Sequence, residues 1–144
     1  TTYAELPLKF EAGTSNYIAA IGLGEAIRYL DTLDPKEVMR HEQQLLEYAT
    51  EKLQGIDGLR IYGNQPDKCG IVSFTIDGTH PMDVGMILDK MGIAVRTGTH
   101  CAEPVMTHYG ITSMVRASFA LYNDFTDIDR LEAGVQRAAR MLRA

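Results

Sequence analysis

The stretch Arg96-Thr97-Gly98-Thr99-His100-Cys101-Ala102 places a thiol in a glycine-containing segment between ionisable neighbours. A nearby positive charge favours thiolate over thiol, and thiolate is the nucleophile, so Cys101 is a candidate nucleophile flanked by Arg96 and His100. The competing reading is a cysteine acting as a small buried hydrophobe, against which the polar surroundings of Cys101 weigh. Cys69, just before the apolar Ile71-Val72, fits that competing reading better. His100 could donate or relay a proton, although neighbouring side chains in an extended loop often diverge. Arg116 lies within Met114-Val115-Arg116-Ala117-Ser118-Phe119, where a charge among small and apolar residues needs a partner. Its planar fork could hold a carboxylate; an ordinary solvated or ion-paired arginine is the alternative. In Glu11-Ala12-Gly13-Thr14-Ser15-Asn16, a turn opens directly into a helix, so the backbone N–H groups around Gly13 and Thr14 form a candidate anion site. Ordinary N-capping would use the same residue types. His41, His80, His100 and His108 show no metal-ligand spacing, and no metal is assigned. His41 is expected to face solvent, and His80 and His108 have only structural readings.

These groups need elements to hold them. Leu23, Ala26, Ile27 and Leu30 mark an apolar stripe on a helix from Asn16 to Thr32. Asp34-Pro35 starts a second helix with Glu37 three residues on, and Gly55 is placed to end it near Leu53, giving a helical hairpin. Val72, Phe74 and Ile76 alternate with Ser73 and Thr75 as a half-buried strand ending at Asp77-Gly78. A helix from Pro81 to Met91, stopped by Gly92, leads into a short strand from Ile93 to Arg96. Gly98 to Pro104 reads as a loop, followed by a brief helical turn. Ser113 to Ala120 is again a strand, with Val115, Ala117 and Phe119 toward the core and Met114, Arg116 and Ser118 on the other face. Ile128, Leu131, Val135, Ala138 and Leu142 mark a last amphipathic helix. The sum is an α+β fold, a small, mostly antiparallel sheet covered by helices.

A chain of 144 residues with 45% hydrophobic and 23% charged residues has the size and composition of one globular domain. A net charge of -5 without a basic run argues against nucleic acid as partner. No stretch approaches the roughly 18 apolar residues of a membrane span. Two cysteines without CxxC spacing argue against a disulfide framework or structural zinc, and a reducing cytoplasm is the expected setting. The start at Thr1, running into a Pro7-containing stretch, is read as a cut inside a longer protein.

Three blocks resemble a known family: Arg96-Thr97-Gly98-x-His100-Cys101-Ala102-x-Pro104, then Arg116-Ala117-Ser118-Phe119-x-x-Tyr122-Asn123, and Phe10-Glu11-Ala12-Gly13-Thr14 leading into Asn16. In order and over essentially the whole chain they resemble the class V aminotransferase-like cysteine desulfurases, specifically the SufS-type group that includes selenocysteine lyases. The resemblance implies that residues 1–144, including the lead-in segment 1–15, are the C-terminal small domain of a fold-type I enzyme dependent on pyridoxal 5'-phosphate. The large cofactor-binding domain would lie outside the chain. It implies Cys101 as the persulfide-forming nucleophile, Arg116 as clamp on the substrate carboxylate and Arg96 as the active-site loop arginine. Gly13 and Thr14 would reach the cofactor phosphate of the neighbouring subunit in a homodimer. His100 matches a motif position without a firm role, and Thr99 departs from the His or Gln that relatives often carry.

None of Lys9, Lys36, Lys52, Lys68 or Lys90 stands in the family's cofactor-lysine motif, so the chain alone is expected to bind no cofactor covalently and to be inactive. In the full protein, L-cysteine would yield alanine and a persulfide. That sulfur would pass to an acceptor protein of the SufE or SufU type for iron–sulfur cluster assembly. Selenocysteine lyase activity, a stand-alone sulfur-carrier or interaction module, and a regulatory domain with an inert Cys101 are the alternatives.

Overall fold

Short polar side chains, Asn16, Asp34 and Asp124 among them, fix several helix starts in this chain. A computed structural model describes residues 2–63, 65 and 68–143, and the chain divides into two units, Thr1–Glu37 and Val38–Ala144. In the first, a 3-10 turn at Leu8–Phe10 precedes helix α1, Tyr17–Leu30. The Asn16 side chain accepts the Ala19 amide at 3.1 Å, so the polar turn read from sequence does cap this helix. The apolar stripe of α1 is present but buries no residue; Ile18 and Ile21 are 72% and 70% exposed. Asp34 accepts the amide of Lys36 at 2.9 Å and opens helix α2, Pro35–Gln54, whose first turn ends the unit.

The second unit is a four-stranded sheet with helices on it. Strand β1, Leu59–Tyr62, is followed by β2, Ile71–Ile76, helix α3, Pro81–Lys90, strand β3, Arg96–Gly98, helix α4, Glu103–Tyr109, strand β4, Met114–Ser118, and helix α5, Phe125–Arg143. The sheet order is β1-β2-β4-β3 with every pair antiparallel. The α+β expectation and the antiparallel sheet therefore hold. One face carries Val72, Phe74, Ile76, Val115 and Ala117 into a core completed by Leu45, Leu46, Ala49 and Leu53 of α2, Val84 and Leu88 of α3, and Ile128, Leu131, Val135 and Ala138 of α5. The other face has a smaller cluster in which Met106 of α4 packs on Tyr62 and Met114.

Three particulars depart from the sequence reading. Strand β1 was not foreseen: its four residues put Leu59 and Ile61 against the core but also bury Tyr62 on the opposite face, which blurs the polar–apolar alternation. The strand expected at Ile93–Arg96 lies later, at Arg96–Gly98. Ile93 and Val95 do pack against the core, but ladder pairing begins only where Arg96 meets Arg116. His41 is half-buried rather than solvated, with its Nε2 2.9 Å from the carbonyl oxygen of Asn123.

Two helix starts of this unit are also capped by side chains, whereas α4 starts at Ala102 without one. His80 Nδ1 accepts the Met82 amide at 3.2 Å ahead of Pro81. Asp124 and Asp127 accept each other's amides at 3.1 and 3.3 Å in a reciprocal capping box for α5. The Asp127 carboxyl is held below the usual carboxylate range by the Asn123 side-chain amide, which donates to it at 3.0 Å, and then by the Asp124 backbone amide. A glycine sets the position of β3: a Cβ at Gly85 of α3 would lie 2.5 Å from Thr97 Cγ2, so α3 approaches the strand as closely as it does only because no side chain intervenes.

Candidate active site

Strand pairing brings two cations face to face. Arg96 of β3 stands directly opposite Arg116 of β4, and Ser73 of β2 stands opposite Arg116 on its other side. Like charges in directly opposed positions are unfavourable unless something negative lies between or beside them. Among the described residues, neither guanidinium is ion-paired, and Arg116 Nε is buried without a hydrogen-bond partner. A buried donor left unmade costs free energy that a bound carboxylate would recover. Arg116 also lies on the sheet face turned away from the main core, as its alternation with Val115 and Ala117 requires. Ser73 was not singled out in the sequence; its polar place between Val72 and Phe74 is the only signal that could have found it.

Beyond β3 the chain makes a tight turn. The Ala102 amide donates to the Thr99 carbonyl at 2.9 Å, and the two central residues, His100 and Cys101, have φ of 55° and 57°. Positive φ at both central positions is the pattern of a type I′ turn, normally served by Gly, Asn or Asp. For other residues the left-handed region costs about 1–2 kcal/mol each. The turn leaves Cys101 exposed, and Arg96 Nη2 lies 4.0 Å from its sulfur. A buried, hydrophobe-like Cys101 is thereby excluded, whereas Cys69, expected to be buried, is also exposed because it sits in the loop before β2 and not in the strand.

His100 turns inward. Its Nε2 is 3.2 Å from the Met114 carbonyl oxygen, while Nδ1 is buried without a partner. Burial, with the nearby charges of Arg116 and Arg96 acting in the same sense, holds the imidazole below its ordinary pKa, so the ring is neutral near pH 7. A carbonyl only accepts, so Nε2 carries the hydrogen and Nδ1 the bare lone pair. Cys101, Arg96, His100 and Arg116 thus occupy one end of one sheet face. Gly13 and Thr14 belong to the first unit; Gly13 has a φ of 137° with open space where a Cβ would be. Among the described residues, the amides of Gly13 and Thr14 make no hydrogen bond. No cluster of metal-ligating side chains occurs among the described residues, and no helix among them is long and apolar enough to cross a membrane.

Known proteins resemble this chain in sequence and in fold. A cysteine desulfurase of Serratia proteamaculans (strain 568) is 48% identical over 142 residues, 99% of this chain and 35% of that protein. The structure is similar to the crystal structure of the cysteine desulfurase CsdA from Escherichia coli, with a TM-score of 0.86 at 35% identity over 94% of this chain and 34% of that one. It is equally similar to an apo cysteine desulfurase from Thermococcus onnurineus NA1, with a TM-score of 0.86 at 40% identity over 96% of this chain and 35% of that one. The chain spans about a third of the length of the curated relatives it matches. The model of the aminotransferase class-V family matches residues 1–131, and on that match the chain belongs to the class-V aminotransferase family.

Proposed function

We propose that these residues form the C-terminal small domain of a pyridoxal-phosphate-dependent cysteine desulfurase of the SufS type, with the cofactor-binding domain supplied by the remaining two-thirds of a longer protein. The observation that carries this is the exposed Cys101 on a tight turn, with Arg96 at its sulfur and Arg96 opposed to Arg116, whose buried Nε has no partner. The residues fit the cofactor and its substrate in complementary ways. The unbonded amides of Gly13 and Thr14 suit a phosphate, in a homodimer that of the other subunit, and Arg116 suits an amino-acid carboxylate. When bound, the cofactor supplies an electron sink at the substrate's amino group, which is what allows a carbon–sulfur bond to break without a free carbanion.

Arg116 then holds the carboxylate of L-cysteine in two parallel hydrogen bonds, fixing which way the substrate sulfur points. The Cys101 sulfur attacks that sulfur. A sulfur–sulfur bond forms as the carbon–sulfur bond breaks, the bonding pair stays with carbon, and protonation there gives alanine and a persulfide on Cys101. Arg96, already beside Cys101 Sγ, faces the negative charge on the attacking sulfur. Because Cys101 is exposed, its persulfide can be reached by a thiol of an acceptor protein of the SufE or SufU type, which in a cytoplasmic setting would feed iron–sulfur cluster assembly. The test is made on the full polypeptide loaded with the cofactor. Cys101→Ala should abolish both alanine release from L-cysteine and the persulfide. Arg116→Lys, which keeps the charge but not the fork, should raise KM by roughly tenfold to a hundredfold, the loss of a charge-assisted hydrogen bond of about 1.5–3 kcal/mol. Undiminished alanine release by Cys101→Ala would overturn the reading.

A further inference from the structure

We infer that His100 is a positioning residue: by donating from Nε2 to the Met114 carbonyl it fastens the Thr99–Ala102 turn to strand β4 and so sets where the Cys101 sulfur stands relative to Arg116. The turn has a conformation its own residues do not favour, since both central positions are left-handed and neither is Gly, Asn or Asp. Its internal support is one backbone bond, from the Ala102 amide to Thr99. The bond that ties it to the sheet is His100 Nε2 to Met114 O at 3.2 Å, and Met114 is two residues from Arg116 on the same strand and face. The contact Arg96 makes with Cys101 Sγ, at 4.0 Å, is the limit of a hydrogen bond and ends on a long flexible side chain, so it follows the sulfur rather than fixing it.

The ring suits this task more than proton transfer. Nε2 is committed to a carbonyl, and Nδ1 faces a buried space without a partner. Burial first, and then Arg116 and Arg96, disfavour the charged imidazolium. The neutral ring makes the bond without adding a third positive charge near two guanidinium groups. The consequence for sulfur chemistry rests on reading Cys101 as the nucleophile; the anchoring does not.

Three substitutions in the full polypeptide separate an anchor from a turn former. His100→Gln keeps a donor at the place of Nε2. His100→Asn suits a left-handed turn better than histidine but is too short to offer a donor there, and His100→Ala offers neither. Hydrogen exchange at the Ala102 amide reads the turn, exchange in strand β2 checks that the fold persists, and iodoacetamide labelling of the Cys101 peptide reads the sulfur. Loss of one hydrogen bond should speed exchange at Ala102 by on the order of fivefold to tenfold in the Ala and Asn variants, while Gln stays near the parent. Cys101 labelling should change in the same two variants and return with Gln. Unchanged exchange in all three, or rescue by Asn and not by Gln, would overturn the inference. If exchange responds as expected but Cys101 of the parent protein does not label, the anchor stands and the nucleophile reading fails.

Discussion

At the scale of single residues, the site turns on charges and on one backbone carbonyl. His100 is held neutral by burial and by Arg116 and Arg96, so its folded pKa lies below its ordinary value of 6.5. Below pH 6.5 the unfolded chain therefore binds a proton that the folded chain resists, and stability falls as pH drops from there through the folded value. Thermal unfolding followed between neutral and mildly acid pH should show a decline that His100→Gln removes over that window; an identical decline in the variant would place its cause elsewhere. Residue types alone pointed to Cys101, Arg96 and Arg116, because a thiol beside cations and an arginine in an apolar strand are unusual enough to stand out. The partner of His100 could not be read in this way. It is the main-chain oxygen of Met114, fourteen positions on, and a carbonyl is the same at every residue.

Elements decide whether those residues meet. β3 is only three residues long and is held by β4 on one side and by α3, whose Gly85 sits where a Cβ would come within 2.5 Å of Thr97 Cγ2. Gly85→Ala would normally favour a helix, yet here the added methyl should push β3 from α3 and cost about 1–3 kcal/mol. Thr97→Ser, which removes Cγ2, should restore most of that loss, giving a favourable coupling in a double-mutant cycle measured by urea unfolding. Additive losses would show that the close approach is not what the glycine serves. Sequence patterns found α3, α5, β2 and β4, where each apolar period matches one buried face, and found α2 from the residues at its two ends. They failed at β1, whose two faces are both apolar at Ile61 and Tyr62, and they placed β3 too early. Ile93 and Val95 report burial, whereas a strand is defined by its ladder.

Across the whole molecule, the two units differ in how they use their apolar residues. The second unit closes a core around Phe74, which is fully buried together with Leu45, Leu53, Leu88 and Ile128 from three helices. In the first, α1 has the apolar content of a core helix, with Tyr17, Ile18, Ile21, Leu23 and Ile27 all at least half exposed. Hydrophobic stabilisation follows area removed from water, so these two sets should respond very unequally to truncation. In the 144-residue chain, Phe74→Ala should cost about 3–5 kcal/mol, enough to unfold a marginal domain. Ile21→Ser, which removes an apolar side chain that is 70% exposed, should change stability by less than about 0.5 kcal/mol. In the full polypeptide the same Ile21→Ser becomes informative in a second way, because residues outside this chain then have the chance to cover α1. A loss above about 2 kcal/mol there, absent from the 144-residue chain, would mean that the stripe read in the sequence is a core position of the larger protein. Equal, small effects in both would mean that α1 keeps its apolar side in water, and that its periodicity reports helix amphipathicity without burial.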